Sequence, residues 1–265
     1  MPRFPRCLLP LLLSAAVPCY GTGLPDTGQD SCYSDTGTDR VAASNAGSIA
    51  RDAGTHPRQD CRYGRDAAAA VGALTKTGAG AKGFDYTKIA NNGTTLPAGA
   101  ALGNTNTAWG CTRDNITGLT WEVKTASSTD LRYSGHTYTW FSSDFSTDGG
   151  DHGSAGANTC NATLPLSQCN TEAFVAAVNA AALCTYINWR LPTQRELLTL
   201  VYADGSSPSI APTYFPNTPA LLFWSGTTFV QTITSAWYVD FSVGNTFPSA
   251  KTNNNYLRLV RGGQF

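Results

Sequence analysis

A chain of 265 residues with 42% hydrophobic and 11% aromatic content has ample material for a packed core, in one large domain or a domain with a smaller partner. Charged residues make up only 14%, with 18 Lys plus Arg against 18 Asp plus Glu, so no global field draws the protein to nucleic acid. A surface built from Thr, Ser, Asn and Gly instead of charge suits an exported β-rich protein better than a cytosolic helical one.

The first residues, "MPRFPR", are a basic start, and "CLLPLLLSAAV" is an apolar run too short to span a bilayer as a helix. Together they read as a signal peptide over residues 1–21, with cleavage near Gly21 or Gly23. A lipoprotein reading is weaker, because Cys19 follows Val17-Pro18 rather than a small residue. Loss of Arg3 and Arg6 leaves 16 basic residues against 18 acidic ones, so the mature chain is slightly acidic. Export places it in the periplasm, on the outer surface or in the medium, with no further membrane span expected.

Of eight Cys, Cys7 and Cys19 leave with the signal, and six remain: Cys32, Cys61, Cys111, Cys160, Cys169 and Cys184. An even number in an exported chain implies disulfides, and the pairing expected is Cys32–Cys61, Cys111–Cys184 and Cys160–Cys169. No CxxC or Cys/His ligand spacing occurs, and only His56, His136 and His152 are present, so neither zinc nor any other cofactor is expected.

Residues 22–83 are Gly-, Asp- and Ala-rich and read as an irregular N-terminal extension. It holds one helix-like piece, "RDAAAAVGAL" (65–74), and a flexible connector, "KTGAGAKG" (76–83). From Phe84 to Gly263 the texture is that of a domain. "GLTWEVK" (118–124) alternates, placing Trp121 and Val123 inward and Glu122 and Lys124 outward. "AWYVDFS" (236–242) sets Trp237, Val239 and Phe241 against Tyr238 and Asp240, and "YLRLVRG" (256–262) sets Leu257 and Leu259 against Arg258. "TRDNITG" (112–118) is rich in turn residues. "NTEAFVAAVNAAALC" (170–184) reads as a helix capped by Thr171, with an Ala-rich face that can approach a sheet closely.

"NWRLPTQRELLTLV" (188–201) reads as an extended lead-in to a second helix. Thr193 and Glu196 have capping-box spacing, Pro192 keeps the approach extended, and Trp189 is expected as a core anchor. Arg190 and Arg195 are free to pair with carboxylates or to face a ligand. Capping already accounts for Glu196, so a catalytic role for it is the weaker reading.

Four segments in order, "TRDNITGLTWEVKT" (112–125), "LCTYINWRLPTQRELLTLV" (183–201), "FWSGTT" (223–228) and "AWYVDFSVGNTFPSAKTNNNYLRLVRGG" (236–263), resemble the Lcl C-terminal domain family. This family is named for the adhesive domain of a bacterial collagen-like protein. No Gly-X-Y tract precedes the domain here, and "FWSGTT" stands where members more often show "YWSSTT". The resemblance implies an exported bacterial α+β domain, C-type-lectin-like or formylglycine-generating-enzyme-like, with short strands, two helices and disulfides. It also implies binding of sulfated glycosaminoglycans in attachment.

The residues themselves offer no catalytic constellation: no Ser elbow, phosphate loop or HExxH spacing occurs, and no Cys follows Cys184, so an enzyme is not expected. Asp144, Asp148, Asp151 and His152 suggest a calcium loop, but the spacing departs from an EF-hand and fits a solvated Gly/Asp loop equally well. For a glycan, Trp224, Trp237 and Tyr238 offer aromatic faces and Lys251, Arg258 and Arg261 offer cations, although both Trp lie in apolar strands that suit a core. The site expected is Lys251, Arg258, Arg261 and Tyr238, presented by the C-terminal strands to an acidic or surface glycan. The alternative is a structural subunit of a surface appendage or envelope assembly, self-associating or bound to an envelope protein.

Overall fold

The computed structural model describes residues 26–29, 31–33, 40–42, 64–156, 159–161, 163–164, 168–203 and 205–262. The expected signal peptide lies outside them. The architecture is mixed α/β with three antiparallel sheets. A small sheet pairs β1 (Ser31–Tyr33) with β2 (Arg40–Ala42). A central sheet contains β3 (Tyr86–Ala90), β4 (Thr95–Leu96), β5 (Trp109–Asp114), β6 (Thr120–Glu122) and β10 (Val260–Arg261), in the order β10-β6-β5-β3-β4. The third is a meander of β7 (Leu222–Thr228), β8 (Ser235–Asp240) and β9 (Asn245–Ala250).

Both faces of the central sheet are covered. Ile89, Cys111 and Leu259 enter one buried cluster with Phe174, Val178 and Trp189. Tyr86, Trp121 and Val260 enter another with Phe215, Phe223 and Phe241. Strands packed on both faces need not alternate apolar with polar, and here they do not. Glu122 and Lys124, expected to face solvent, are 0% and 3% exposed. Arg258, also expected to face outward, is 0% exposed. Trp237, expected in the core, is only half-buried and packs edge-on against Phe229 at 5.2 Å.

Among the described residues the α-helices are α1 (Arg65–Ala70), α2 (Thr171–Ala180) and α3 (Gln194–Leu198). The cap of α2 is Asn170, one residue before the Thr171 expected: its side chain accepts from the Ala173 N–H at 2.8 Å. Thr171 is instead buried, and its hydroxyl donates to the Phe141 carbonyl. At α3 the capping box forms as read: Thr193 Oγ1 accepts from Glu196 N–H at 3.2 Å, and Glu196 Oε2 accepts from Thr193 N–H at 2.8 Å. Arg190 closes a bidentate pair on the same carboxylate, at 2.8 and 2.7 Å.

Two disulfides are defined by both partners, Cys111–Cys184 and Cys160–Cys169. Cys32 is also disulfide-bonded, and its expected partner Cys61 lies outside the described residues. The first bridge ties β5 to the turn Leu183–Thr185 that follows α2. Residues 76–83, expected as a flexible connector, fold back on β3 instead. Ala79 pairs with Tyr86, and the Asp85 carboxylate accepts from the Thr77 and Gly78 N–H groups at 2.8 and 2.7 Å. The strap at residues 26–29 is also bonded to the rest, through Thr27 O to Ala203 N–H at 2.8 Å and Gly28 O to Lys82 Nζ at 3.1 Å. Among the described residues, no helix is long and apolar enough to cross a membrane.

Candidate functional site: a surface arginine row

The structure divides the expected site residues between interior and surface. Lys251 is 1% exposed. Its ammonium lies 4.4 Å from the Trp140 ring centroid and donates to the Asp148 and Asp151 carbonyls. It therefore sits inside the Asp/Gly loop read as a candidate calcium loop, and supplies that loop with a cation from the chain itself. The loop can close this tightly because Gly153 has φ +81° and a Cβ there would collide with the Trp140 carbonyl. His152 joins it, with Nδ1 3.1 Å from Asp148 Oδ2 and 2.7 Å from the Ser142 carbonyl oxygen. Burial lowers the pKa of Lys251, and the nearby Asp151 and Asp148 oppose that shift.

Arg258 is deeper still. Nη1 donates to the Glu122 carbonyl at 2.6 Å, Nη2 donates to Thr218 Oγ1 at 2.7 Å, and the guanidinium lies 5.1 Å from the Phe215 centroid. Beside it, Lys124 Nζ donates to Glu122 Oε1 at 2.7 Å while Glu122 Oε2 accepts from the Leu259 N–H. Lys251 and Arg258 are therefore structural cations, and neither can meet a glycan without unfolding its surroundings. Tyr238 belongs to the β7–β9 meander, between Trp224 and Phe247 in register, and packs against the core. Burial, and then Asp240, raise the pKa of its phenol.

Arg261 alone of the expected cations reaches the surface in a built arrangement. Its guanidinium stacks 3.6 Å from the Tyr186 centroid, and Nε donates to Asn188 Oδ1 at 2.9 Å. These contacts fix the plane of the fork and leave its Nη edge without a hydrogen bond among the described residues. The sheet register extends the site. Arg261 pairs with Thr120, Thr120 with Arg113, and Arg113 with Thr87. Directly paired residues share a face, so Arg113 and Arg261 flank Thr120 on the same side. Two strand spacings put their Cα atoms roughly 10 Å apart. Arg113 is exposed, and neither arginine makes an ion pair among the described residues. Sequence reading missed Arg113 because "TRDNITG" has turn composition; only the pairing of β5 with β6 and β10 brings it to Arg261.

The buried cations give the protein a pH signature. Burial pushes Lys124 down to about 8 from its ordinary 10.5, against the opposing pull of Glu122. Between those values the unfolded chain holds a proton that the folded chain has lost. Stability is therefore expected to rise with pH from about 8 toward 10, by on the order of 2–3 kcal/mol from this group. Beyond pH ~10, the phenols of Tyr86 and Tyr138, held protonated chiefly by burial, reverse the trend as unfolding lets them ionise. Urea unfolding across pH 7–10.5 checks this, and Lys124→Met is expected to remove the largest part of the rise. A flat profile in the wild type would show Lys124 to be fully solvated.

A family model described as the Lcl C-terminal domain matches residues 110–261, which include β5 from its second residue on, β6, β10 and both arginines of the row. No curated protein and no solved structure matches the chain.

Proposed function

Because the chain belongs to the Lcl C-terminal domain family, we propose that it is an exported recognition module of the adhesin type, and that it holds an acidic glycan on the Arg113–Arg261 row. The observation that supports this is the pair of guanidinium groups on one sheet face with no ion pair among the described residues, one of them pre-oriented by Tyr186 and Asn188. A planar fork held in place meets a carboxylate or sulfate with two parallel hydrogen bonds and loses little entropy in doing so. Two such forks favour a polymer carrying repeated anions over a single small anion. Disulfides suit the oxidising side of a membrane, in keeping with an extracellular role. We assign the domain to the C-type-lectin-like α+β folds on the strength of its short antiparallel strands, its disulfides and its family, and we assign it no catalytic role.

Heparin-agarose retention tests the reading. The wild type is expected to bind at low salt and elute as salt screens the row. Arg113→Ala/Arg261→Ala is expected to flow through with a melting temperature close to wild type, since neither side chain is buried. Retention equal to wild type in the double variant would overturn the assignment of the site.

A second reading, a structural subunit of a surface assembly, draws on Phe145 and Val230, which are 83% and 92% exposed. Their loops are neighbours: a Cβ on Gly149 would meet Thr228, and one on Gly150 would meet Ile233. Concentration-dependent oligomers lost on Val230→Asp, together with no heparin retention, would favour it.

A further inference from the structure

Around Glu122 the interior gathers several buried cations. Lys124 bonds the Glu122 carboxylate, Arg258 bonds the Glu122 backbone carbonyl, and Arg132 is close enough to act on Lys124 electrostatically. Arg132 is 6% exposed, and no carboxylate lies within ion-pairing distance of it among the described residues. Its guanidinium is held by neutral partners instead. Nη1 donates to the Gly110 and Val123 carbonyls at 3.0 and 2.9 Å, and Nη2 donates to Asn104 Oδ1 at 3.2 Å. Nε and one Nη2 proton remain without a partner among the described residues. Neither donor is among the fully buried polar atoms left without a partner, so both are open to solvent and to an incoming anion.

Arg132 lines a cleft of about 270 Å³ bounded by the loops at Asn104–Asn106 and Asp130–Arg132 and by the end of α2. Ala181 and Ala182, both exposed, give the α2 side of the cleft an aliphatic surface, with Val178 and Leu183 buried beneath them. The Asp130 carboxylate at the rim is already engaged, accepting from Asn104 Nδ2 at 2.7 Å and from the Arg132 backbone N–H at 2.9 Å. The backbone along the cleft is strained: Ala182, Cys184 and Thr185 all have positive φ, at 46°, 51° and 69°. The Cys111–Cys184 bridge holds this turn against β5. Non-glycine residues in the left-handed region are strained and cluster where a binding surface is shaped.

We propose that this cleft is a binding site for a single sugar acid or similar small polyhydroxylated carboxylate, with Arg132 as its cationic anchor. The carboxylate takes the free Arg132 donors. Hydroxyls reach the Asn106 amide and the remaining lone pairs of Asp130, and the ring C–H face lies on Ala181 and Ala182. The volume sits below the usual range of drug-sized pockets, roughly 300–1,000 Å³, and suits one ring rather than an oligosaccharide. The site is separate from the Arg113–Arg261 row and does not depend on it.

Chemical-shift titration of the purified chain with D-glucuronate, and with methyl glucoside as the neutral control, tests the proposal. Glucuronate is expected to shift the Asn104 and Asn106 side-chain amides saturably in the millimolar range, with no comparable response to the glucoside. Ala181→Trp, which fills the cleft from its exposed rim, is expected to weaken glucuronate at least tenfold while leaving heparin retention intact. Arg113→Ala/Arg261→Ala is expected to keep the glucuronate response, so failure of either site shows separately. If Ala181→Trp does not fold, Asn106→Ala on the exposed loop is expected to weaken binding several-fold. No shifts at the cleft, an equal response to the glucoside, or undiminished binding in the rim variants would overturn the proposal.

Discussion

Glu122→Ala is expected to cost about 3–5 kcal/mol, the range for removing one partner of a buried charge pair. The carboxylate serves three groups at once. Oε1 takes the Lys124 ammonium, Oε2 takes the Leu259 backbone N–H, and its charge offsets Arg258, whose Nη1 is held by the Glu122 carbonyl. Truncation leaves those cations in a core that also contains Phe174 and Phe215, 4.5 and 5.1 Å from Lys124 and Arg258 as ring centroids. Chemical denaturation followed by circular dichroism measures the loss. Glu122→Gln keeps the shape but not the charge, so its loss relative to Ala separates electrostatics from packing. A loss below about 1 kcal/mol for Glu122→Ala would place the group among ordinary surface pairs and contradict the buried network.

Trp189→Ala is the second large effect, expected at about 3–5 kcal/mol as a truncated core aromatic. Trp189 is 2% exposed and is tied in by polar atoms as well as area. Its indole N–H donates to the Leu183 carbonyl at 3.1 Å, and its backbone exchanges hydrogen bonds with the Asn179 side chain at 2.7 and 2.9 Å. This one residue joins α2, the strained turn and the lead-in to α3. Thr193→Ala, four residues on, removes only a cap and is expected to cost about 1 kcal/mol. Heparin retention of the folded fraction is expected to survive both changes. An unchanged melting temperature with lost retention in Trp189→Ala would turn this segment from an anchor into a binding surface.

What could be read from the sequence was local. The capping box at Thr193 and Glu196 needs only a three-residue spacing, and the Trp189 anchor follows from its place before a capped helix. The disulfides Cys111–Cys184 and Cys160–Cys169 also form as read. What could not be read depended on which surfaces meet. Alternation in "GLTWEVK" implies a solvated face only if one side of the sheet is bare, and here both sides are packed. Arg258 alternates correctly against Leu257 and Leu259, yet Phe215 and Thr218 cover its side as well. Lys251 lies in a polar stretch, but the Asp/Gly loop a hundred residues earlier closes over it. Arg113 entered the site for the converse reason: strand register, invisible in composition, sets it across Thr120 from Arg261.

The cations named above divide into a structural set, Lys251, Arg258 and Lys124, and a surface pair, Arg113 and Arg261, for which an acidic glycan is the proposed ligand. Chemical-shift mapping with a sulfated heparin disaccharide at low salt tests it most directly. Saturable shifts that vanish as salt rises are expected at Arg113, Thr120, Tyr186 and Arg261, with the β8–β9 hairpin and the Lys251 loop unmoved. Shifts centred on Tyr238 and residues 247–253, with the arginine row silent, would contradict it.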